Sequence, residues 1–316
     1  MVNKSHISLA VRCVNILLGR SYHHVPQPIG RYFNRHFVSG YYNDFTKKVN
    51  WNGQSDENGV PINKLTNGKR VYFPITIAQM ALGVYDIWLE TGELQKKDRF
   101  LKLATWLMQN QDEEGGWSNP WSYLRPSTSS NYSAMAQGEA ISVLVRACLL
   151  TDNISFLDSA QRAFPLLTRP VEKGGCSFYK DENLYLEEYP EIPRNTVLNG
   201  WIYAIFGLYD LMLLRNDEVV NSILSRTLKT LESSLGSYDS GYWSYYDVRG
   251  NIASPSYHSV HIALLEVLYA LTDVETFRDF SNSWKDYQKK ILNRNKAIFV
   301  KLWQKFKNPG KVIIAE

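Results

Sequence analysis

Four apolar segments recur along the chain at roughly sixty-residue intervals: PITIAQMALGVYDIWLETG (74–92), SAMAQGEAISVLVRACLLTD (133–152), TVLNGWIYAIFGLYDLMLL (196–214) and YHSVHIALLEVLYALTD (257–273). Each is apolar on nearly every side, the pattern of a helix buried inside a larger assembly. Each is followed by a more polar segment with helical spacing, near residues 95–110, 154–168, 217–235 and 275–291. The unit is an inner helix and an outer helix. Near the start of every inner helix sits one polar side chain, Gln79, Gln137, Asn199 and then His258 or His261, at spacings of 58, 62 and 62 residues when His261 is used. A fixed period marks a repeat architecture. The expected fold is mainly α, an incomplete (α/α) toroid of about four helical hairpins whose loops form a cleft at one rim. The recurrent amides have a plain structural role as helix-end hydrogen-bonding groups; their recurrence at one level of the ring favours the cleft.

The junctions repeat as well: EEGGWSN around Trp117, EKGGCSFY around Phe178 and SGYWSYYD around Trp243. Glycines followed by an aromatic suit a tight turn into a short hairpin at the rim. Before the repeats, prolines 26 and 28 forbid a long helix, and the stretch from Trp51 to Phe73 offers two turn signals between short apolar runs. The expected divisions are an N-terminal arm with β-hairpins (1–72), the toroid (73–292) and a basic amphipathic C-terminal helix and tail (293–316). In that tail Ile298, Leu302 and Phe306 lie four apart with Lys301, Lys305 and Lys307 interleaved. Packing on its own domain is the favoured expectation for this helix, and peripheral docking on an anionic membrane surface is the alternative.

Charge is polarised. Of the 316 residues, with a net charge of +4, residues 1–38 carry five basic side chains and no acid, and residues 285–311 carry nine against Asp286, so the body between them is acidic. Basic ends without a zinc-finger, RNA-binding or helix-turn-helix signature argue against nucleic acid. Cys13, Cys148 and Cys176 are widely spaced and read as reduced core thiols. Arg12 interrupts the first apolar stretch and no small-residue cleavage pattern follows, so the expectation is a cytoplasmic chain, and the sequons at Asn3, Asn131 and Asn153 carry little information. A homodimer is compatible with the sequence.

No GxGxxG, GxxxxGK[ST], G-x-S-x-G or H-E-x-x-H occurs, so nucleotide, hydrolase-elbow and zincin chemistries have no support. Asp56 and Glu57 lack EF-hand spacing and read as a solvated loop. His258 and His261 form H-x-x-H without an evident third ligand, and no metal is expected. What remains is a cluster at the junctions: Glu187, Glu188 and Tyr189 before the third inner helix, Tyr245, Tyr246 and Arg249 before the fourth, and Tyr257 with His258 opening it. A carboxylate opposed by phenols suits cofactor-free proton transfer at carbon, one side chain removing a proton and another returning it to the opposite face. A phenolate near neutral pH needs a cation beside it, and Arg249 is the candidate.

The same stretches carry a resemblance. YFPITIAQ (72–79), YSAMAQGEAISVLVRA (132–147), EEYP (187–190), VLNGWIYAIFGLYDL (197–211), YDVR (246–249) and YHSVH (257–261) resemble, in order, the C-terminal helical domain of the D-glucuronyl C5-epimerase family. Family members invert C5 of glucuronic acid to iduronic acid within a heparosan- or heparan-type glycan, without nicotinamide, and no cofactor is expected here. The resemblance implies an anionic uronate glycan as partner, Glu188, Tyr189, Tyr246 and Tyr257 as the acid/base set, and Arg249, Asn199, Tyr203, Tyr132 and Ser133 as sugar contacts. The residue pattern adds Gln137 and His258 to the binding set. Two rivals stay open: a uronate lyase, which expels the O4 substituent from the same intermediate, and a glycan-binding toroid without activity.

Overall fold

The computed structural model describes residues 25–65, 67–120 and 128–307. Cys13, Asn3 and the ends of the terminal arms lie outside the described residues. The repeated unit is realised as four helical hairpins: α1 (Pro74–Thr91) with α2 (Leu94–Gln109), α3 (Ala134–Thr151) with α4 (Ile154–Thr168), α5 (Leu198–Arg215) with α6 (Glu218–Ser234), and α7 (Pro255–Thr272) with α8 (Glu275–Lys289). A ninth helix, α9 (Ile291–Lys307), closes the described chain. Inner helices α1, α3, α5 and α7 are each 18 residues long. Successive inner helices pack side by side and each outer helix packs behind its own partner, which makes an incomplete (α/α) toroid.

One local device repeats at every hairpin. Each inner helix ends in a left-handed residue, Gly92, Asp152, Asn216 or Asp273, whose N–H returns to the carbonyl four residues earlier. That geometry satisfies an orphan carbonyl and reverses the chain. The outer helix then starts two residues on, so the hairpin pitch is set by sequence. Inner helices α3 and α5 approach most closely where two glycines remove the side chains. A Cβ on Gly138 would lie 2.5 Å from the Cα of Ala204, and one on Gly207 would lie 2.4 Å from the carbonyl oxygen of Gly138.

Residues 25–50 run along the inner helices, meeting the C-terminal halves at Asp86, Arg146 and Asp210 and the N-terminal half of α5 at Tyr203. The pin is a fully buried ion pair, Arg146 Nη1 to Asp210 Oδ2 at 2.7 Å. Arg146 also donates to the carbonyls of Ser39 and Gly40, and the Tyr42 hydroxyl donates to Asp210 Oδ1 at 2.8 Å. Three short strands follow, β1 (Gln54–Ser55), β2 (Pro61–Lys64) and β3 (Arg70–Tyr72), in an antiparallel sheet with Ile62 opposite Tyr72.

At the rim, a regular hairpin forms at the EKGGCSFY junction, β4 (Ser177–Lys180) against β5 (Asn183–Leu186). Around Trp243 there are only isolated bridges, Asp239 with Ser244 and Tyr245 with Ile252. The two junction tryptophans do equivalent work: the indole N–H of Trp117 donates to Leu107 O, and that of Trp243 to Ala253 O. Buried aromatics thus anchor the loops whose next residues form the site.

Candidate active site

All four inner helices present their N-terminal ends to one mouth of the ring, because each is entered from a rim junction. Aligned N-termini make such a mouth favourable for anions. Gln137 and Asn199 lie buried at this level; neither end of the Gln137 amide, nor Asn199 Oδ1, has a hydrogen-bond partner among the described residues. Buried polar atoms left open in this way mark a place where a polar ligand or water belongs.

The carboxylate enters from β5. Strand β5 is tied to α6 by the Thr230 hydroxyl, which accepts from Leu184 N, and by Thr227, which donates to Leu184 O. The chain then passes through Glu187 and Glu188, both buried. Glu187 is structural: Thr196 donates to its side chain, its own carbonyl accepts from Ala134 N, and burial raises its pKa to about 8. Glu188 packs against the first turn of α5, where only glycine leaves room. A Cβ on Gly200 would stand 2.5 Å from Glu188 Oε2 and 2.6 Å from its Cβ.

The phenols enter from the fourth junction. Asp247 Oδ1 accepts from the backbone N–H groups of Arg249 and Asn251, which folds YDVRG into a tight turn. Leu198 N donates to Tyr246 O and Val248 N to Thr196 O, pinning that turn to the start of α5 beside Asn199. Tyr257, in the first turn of α7, meets the Tyr246 ring edge-on with centroids 5.1 Å apart. Burial, then the charges of Glu188 and Glu139, push the Tyr257 hydroxyl well above its ordinary pKa. Tyr257 is therefore a protonated phenol that feels the Glu188 charge. Tyr189 packs against the main core just after Glu188.

Other expected residues lie differently. Arg249, expected as a cation for a phenol, is instead committed to the third junction: its Nη1 binds Glu191 Oε2 at 2.7 Å and its Nη2 donates to Pro193 O. A cation beside Tyr246 comes from α9, Lys301 Nζ lying 5.5 Å from the ring centroid. Burial and the neighbouring Lys305 lower the Lys301 pKa to about 8. Sequence reading missed this lysine because it belongs to the terminal helix, far along the chain. Tyr203 is fully buried and its hydroxyl is committed to Asn43 Oδ1 (2.6 Å) and Gln27 Oε1 (3.2 Å) of the arm. Tyr132 donates to Asp112 Oδ2 at 2.8 Å, and Ser133 caps α3 by accepting from Ala136 N.

His258 is a packing residue. It stacks on Trp243 at 3.8 Å, Nε2 sits 3.0 Å from Trp284 O, and Nδ1 sits 2.8 Å from the Ser244 hydroxyl. His261 Nδ1 shares that hydroxyl at 2.9 Å, so the H-x-x-H pair converges on a serine. With Trp284 O as acceptor, the network assigns the His258 proton to Nε2. Burial lowers the His258 pKa to about 4, keeping it neutral.

Below the mouth lies a second buried set. Gln79 Nε2 donates to Glu139 Oε1 at 2.9 Å, and Lys48 of the arm, also buried, feels the Glu139 charge. Desolvation lowers the Lys48 pKa to about 7 and raises that of Glu139 strongly. Sequence reading missed both: Glu139 carried a signal, an acid inside an apolar helix two residues after Gln137, whereas Lys48 carried none, since its burial depends on the arm folding back.

The ring and its mouth define an (α/α)-toroid protein with a carboxylate and two phenols gathered at the N-terminal ends of the inner helices. Residues 111–286 match the model of the D-glucuronyl C5-epimerase C-terminus, and the chain belongs to that family. It is 33% identical to a D-glucuronyl C5-epimerase of Caenorhabditis elegans over 220 residues, 61% of this chain and 35% of that protein. It is 29% identical to an uncharacterised protein of Methanocaldococcus jannaschii over 157 residues, 48% of this chain and 51% of that one. The chain thus spans between about a third and a half of the length of these relatives. Among solved structures, an unsaturated glucuronyl hydrolase specific for heparin aligns with a TM-score of 0.49 and 11% identity, over 89% of this chain and 83% of its own.

Proposed function

We propose that the chain is a cofactor-independent C5-epimerase acting on uronic acid residues of a heparosan-like glycan, converting D-glucuronate to L-iduronate. The observation that carries this is the placement of the buried Glu188, packed on the first turn of α5, and of the Tyr246–Tyr257 ring pair, at the first turn of α7, at one mouth of the ring. The family membership supports the same chemistry.

In this mechanism the Glu188 carboxylate takes the C5 proton, and the C–H electron pair moves into the C6 carboxylate as an enediolate. A carboxylate already bearing charge resists this, so the site must offset the added negative charge. Lys301, the Tyr246 hydroxyl and the inner-helix N-termini supply that field in a partly dry mouth. The Tyr257 O–H then protonates C5 from the other face. Its raised pKa is no obstacle, because the carbanion is a far stronger base than a phenolate. The step leaves Glu188 protonated and Tyr257 ionised, and exchange with solvent resets both. Gln137 and Asn199 offer amides to the sugar hydroxyls, and Arg249 lies at the outer edge for the next residue of the chain.

Incubating the protein with heparosan in heavy water tests the assignment. Deuterium uptake at C5 with iduronate formation and no chain cleavage is expected, and Glu188→Gln and Tyr257→Phe should each lose at least about 10²-fold. Ultraviolet absorbance from a C4–C5 double bond would make it a lyase instead. Saturable binding without exchange on any uronate polymer would leave a binding module.

A further inference from the structure

Helix α9 has two different faces. Its inner face holds the rim: Ala297 is buried in the cluster of Trp243, Ile252 and Ala253, while the Gln304 side chain accepts from Ile252 N and donates to Gly250 O. Among the described residues nothing covers its outer face. Leu292, Phe299, Trp303 and Phe306 are 83%, 71%, 51% and 78% exposed. At 3.6 residues per turn these four form one stripe. On one side Ile291 and Leu302, 75% and 38% exposed, widen the stripe as far as Arg294 and Lys305, which lie eleven residues apart and so three turns along one line. Lys296 and Lys307, also eleven apart, border it on the other.

An apolar stripe edged on both sides by long cationic side chains is the cross-section of a helix lying in a lipid interface, where apolar groups enter the acyl boundary and the amines reach back to the headgroups. Monomeric soluble surfaces rarely leave such a contiguous apolar strip open. The charge pattern selects the occupant. The segment Ile291–Lys307 carries five basic residues and no acid. A second copy laid face to face would set these lysines against themselves. Residues 1–24 carry Lys4, Arg12 and Arg20 and no acid, so that segment is repelled as well. A nucleic acid would satisfy the amines and leave the aromatic stripe in water.

We propose that the outer face of α9 docks the protein on an anionic phospholipid surface. Docking places the membrane directly behind the turn that holds Tyr246, because the opposite face of the same helix packs there. The mouth of the ring then opens beside the headgroups. Helix formation does not depend on the stripe, since the packing residues are on the other side.

Flotation of the full chain with phosphatidylserine–phosphatidylcholine vesicles tests this. Binding is expected to the mixed vesicles, to fall steeply with added salt, and to be absent with phosphatidylcholine alone. The double variant Phe299→Ser, Phe306→Ser and the double variant Lys305→Glu, Lys307→Glu should each lose at least about tenfold in vesicle affinity, with unchanged circular dichroism and thermal midpoint. Failure of the wild type to float with anionic vesicles overturns the proposal. So does sedimentation of the lipid-free wild type as a dimer that the Phe299, Phe306 variant converts to monomer, which would make a second copy the occupant. The readout is independent of any epimerase activity.

Discussion

The ring of Tyr246 meets the ring of Tyr257 edge-on, 5.1 Å between centroids, and this contact joins the turn before α7 to the first turn of α7 itself. Edge-to-face geometry contributes roughly 0.5–1.5 kcal/mol beyond burial and fixes both ring planes. Tyr246→Phe keeps the contact and removes only the hydroxyl. It should lower C5 exchange about 10²-fold while leaving the thermal midpoint unchanged. Tyr246→Ala removes the contact too, and should cost a further 1–3 kcal/mol or so in chemical denaturation. Equal activity in Tyr246→Phe and wild type would confine Tyr246 to positioning Tyr257.

Gly200 supports Glu188 by having no side chain. A Cβ there meets two Glu188 atoms at 2.5 and 2.6 Å, so Gly200→Ala must push the carboxylate outward. Alanine suits the helix better than glycine by about 0.5–1 kcal/mol, which offsets part of the overpacking. The expected signature is a protein of near-wild-type stability whose kcat falls about 10²-fold, as an ångström-scale misplacement of a reacting group commonly does. Steady-state kinetics beside thermal melts separate the two.

Much of this arrangement was legible because it is periodic. The four inner helices and the amide level of Gln137 and Asn199 follow from a sixty-residue repeat; the left-handed Gly, Asp and Asn residues that end those helices were seen only in the structure. What was not legible depends on contacts between distant segments. Arg249 looked like a cation for a phenol, but its partner is Glu191, 58 residues earlier. His258 looked like a cleft residue, yet Trp243 and Trp284 arrive from the junction before and the helix after to enclose it. Tyr203 faces the arm because Asn43, 160 residues away, reaches its hydroxyl. Periodicity says which face of a helix is inward; it does not say which distant loop meets that face.

Glu187 makes a prediction about pH. Its pKa is about 8 in the folded state against an ordinary 4.5, with burial as the first cause. Between those values the folded state binds more protons than the unfolded one, so this group's contribution declines as pH rises from about 4.5 to about 8. His258, about 4 when folded against 6.5, has the opposite slope over an overlapping window. The wild-type curve mixes these two with other buried groups, among them Asp86 and Lys48, whose pKa values are moved to about 7. Glu187→Gln removes one of them, and the difference in unfolding free energy between variant and wild type should grow with pH, by an amount on the order of 3–5 kcal/mol across the window. A difference independent of pH in urea titrations would contradict the assignment.

Lys301 couples the terminal helix to the site. With its pKa lowered to about 8, it is charged at neutral pH and loses that charge in mildly alkaline solution. If its charge offsets the enediolate, kcat should fall above about pH 8. Lys301→Arg should move that limb to higher pH, and Lys301→Met should lower kcat at neutral pH about tenfold or more and abolish the limb. A pH–rate profile unchanged in Lys301→Met would remove the lysine from the mechanism.

The arm is held by the Arg146–Asp210 pair, whose side chains are both fully buried at 2.7 Å. Arg146 also serves two arm carbonyls, and Asp210 accepts from the Tyr42 hydroxyl, so neither charge has an alternative partner in solvent. Removing one member leaves the other charge uncompensated in the ring. Arg146→Met or Asp210→Asn should each destabilise by about 3–5 kcal/mol. Tyr42→Phe, which deletes one bond to a charged group, should cost about 1.5–3 kcal/mol. The arm also delivers Lys48 to Glu139, and Asn43 and Gln27 to Tyr203, beneath the mouth. Loosening it should therefore raise hydrogen exchange in residues 25–50 and in the first turns of α3 and α5 together. Protection lost in the arm alone would show that the mouth stands without it.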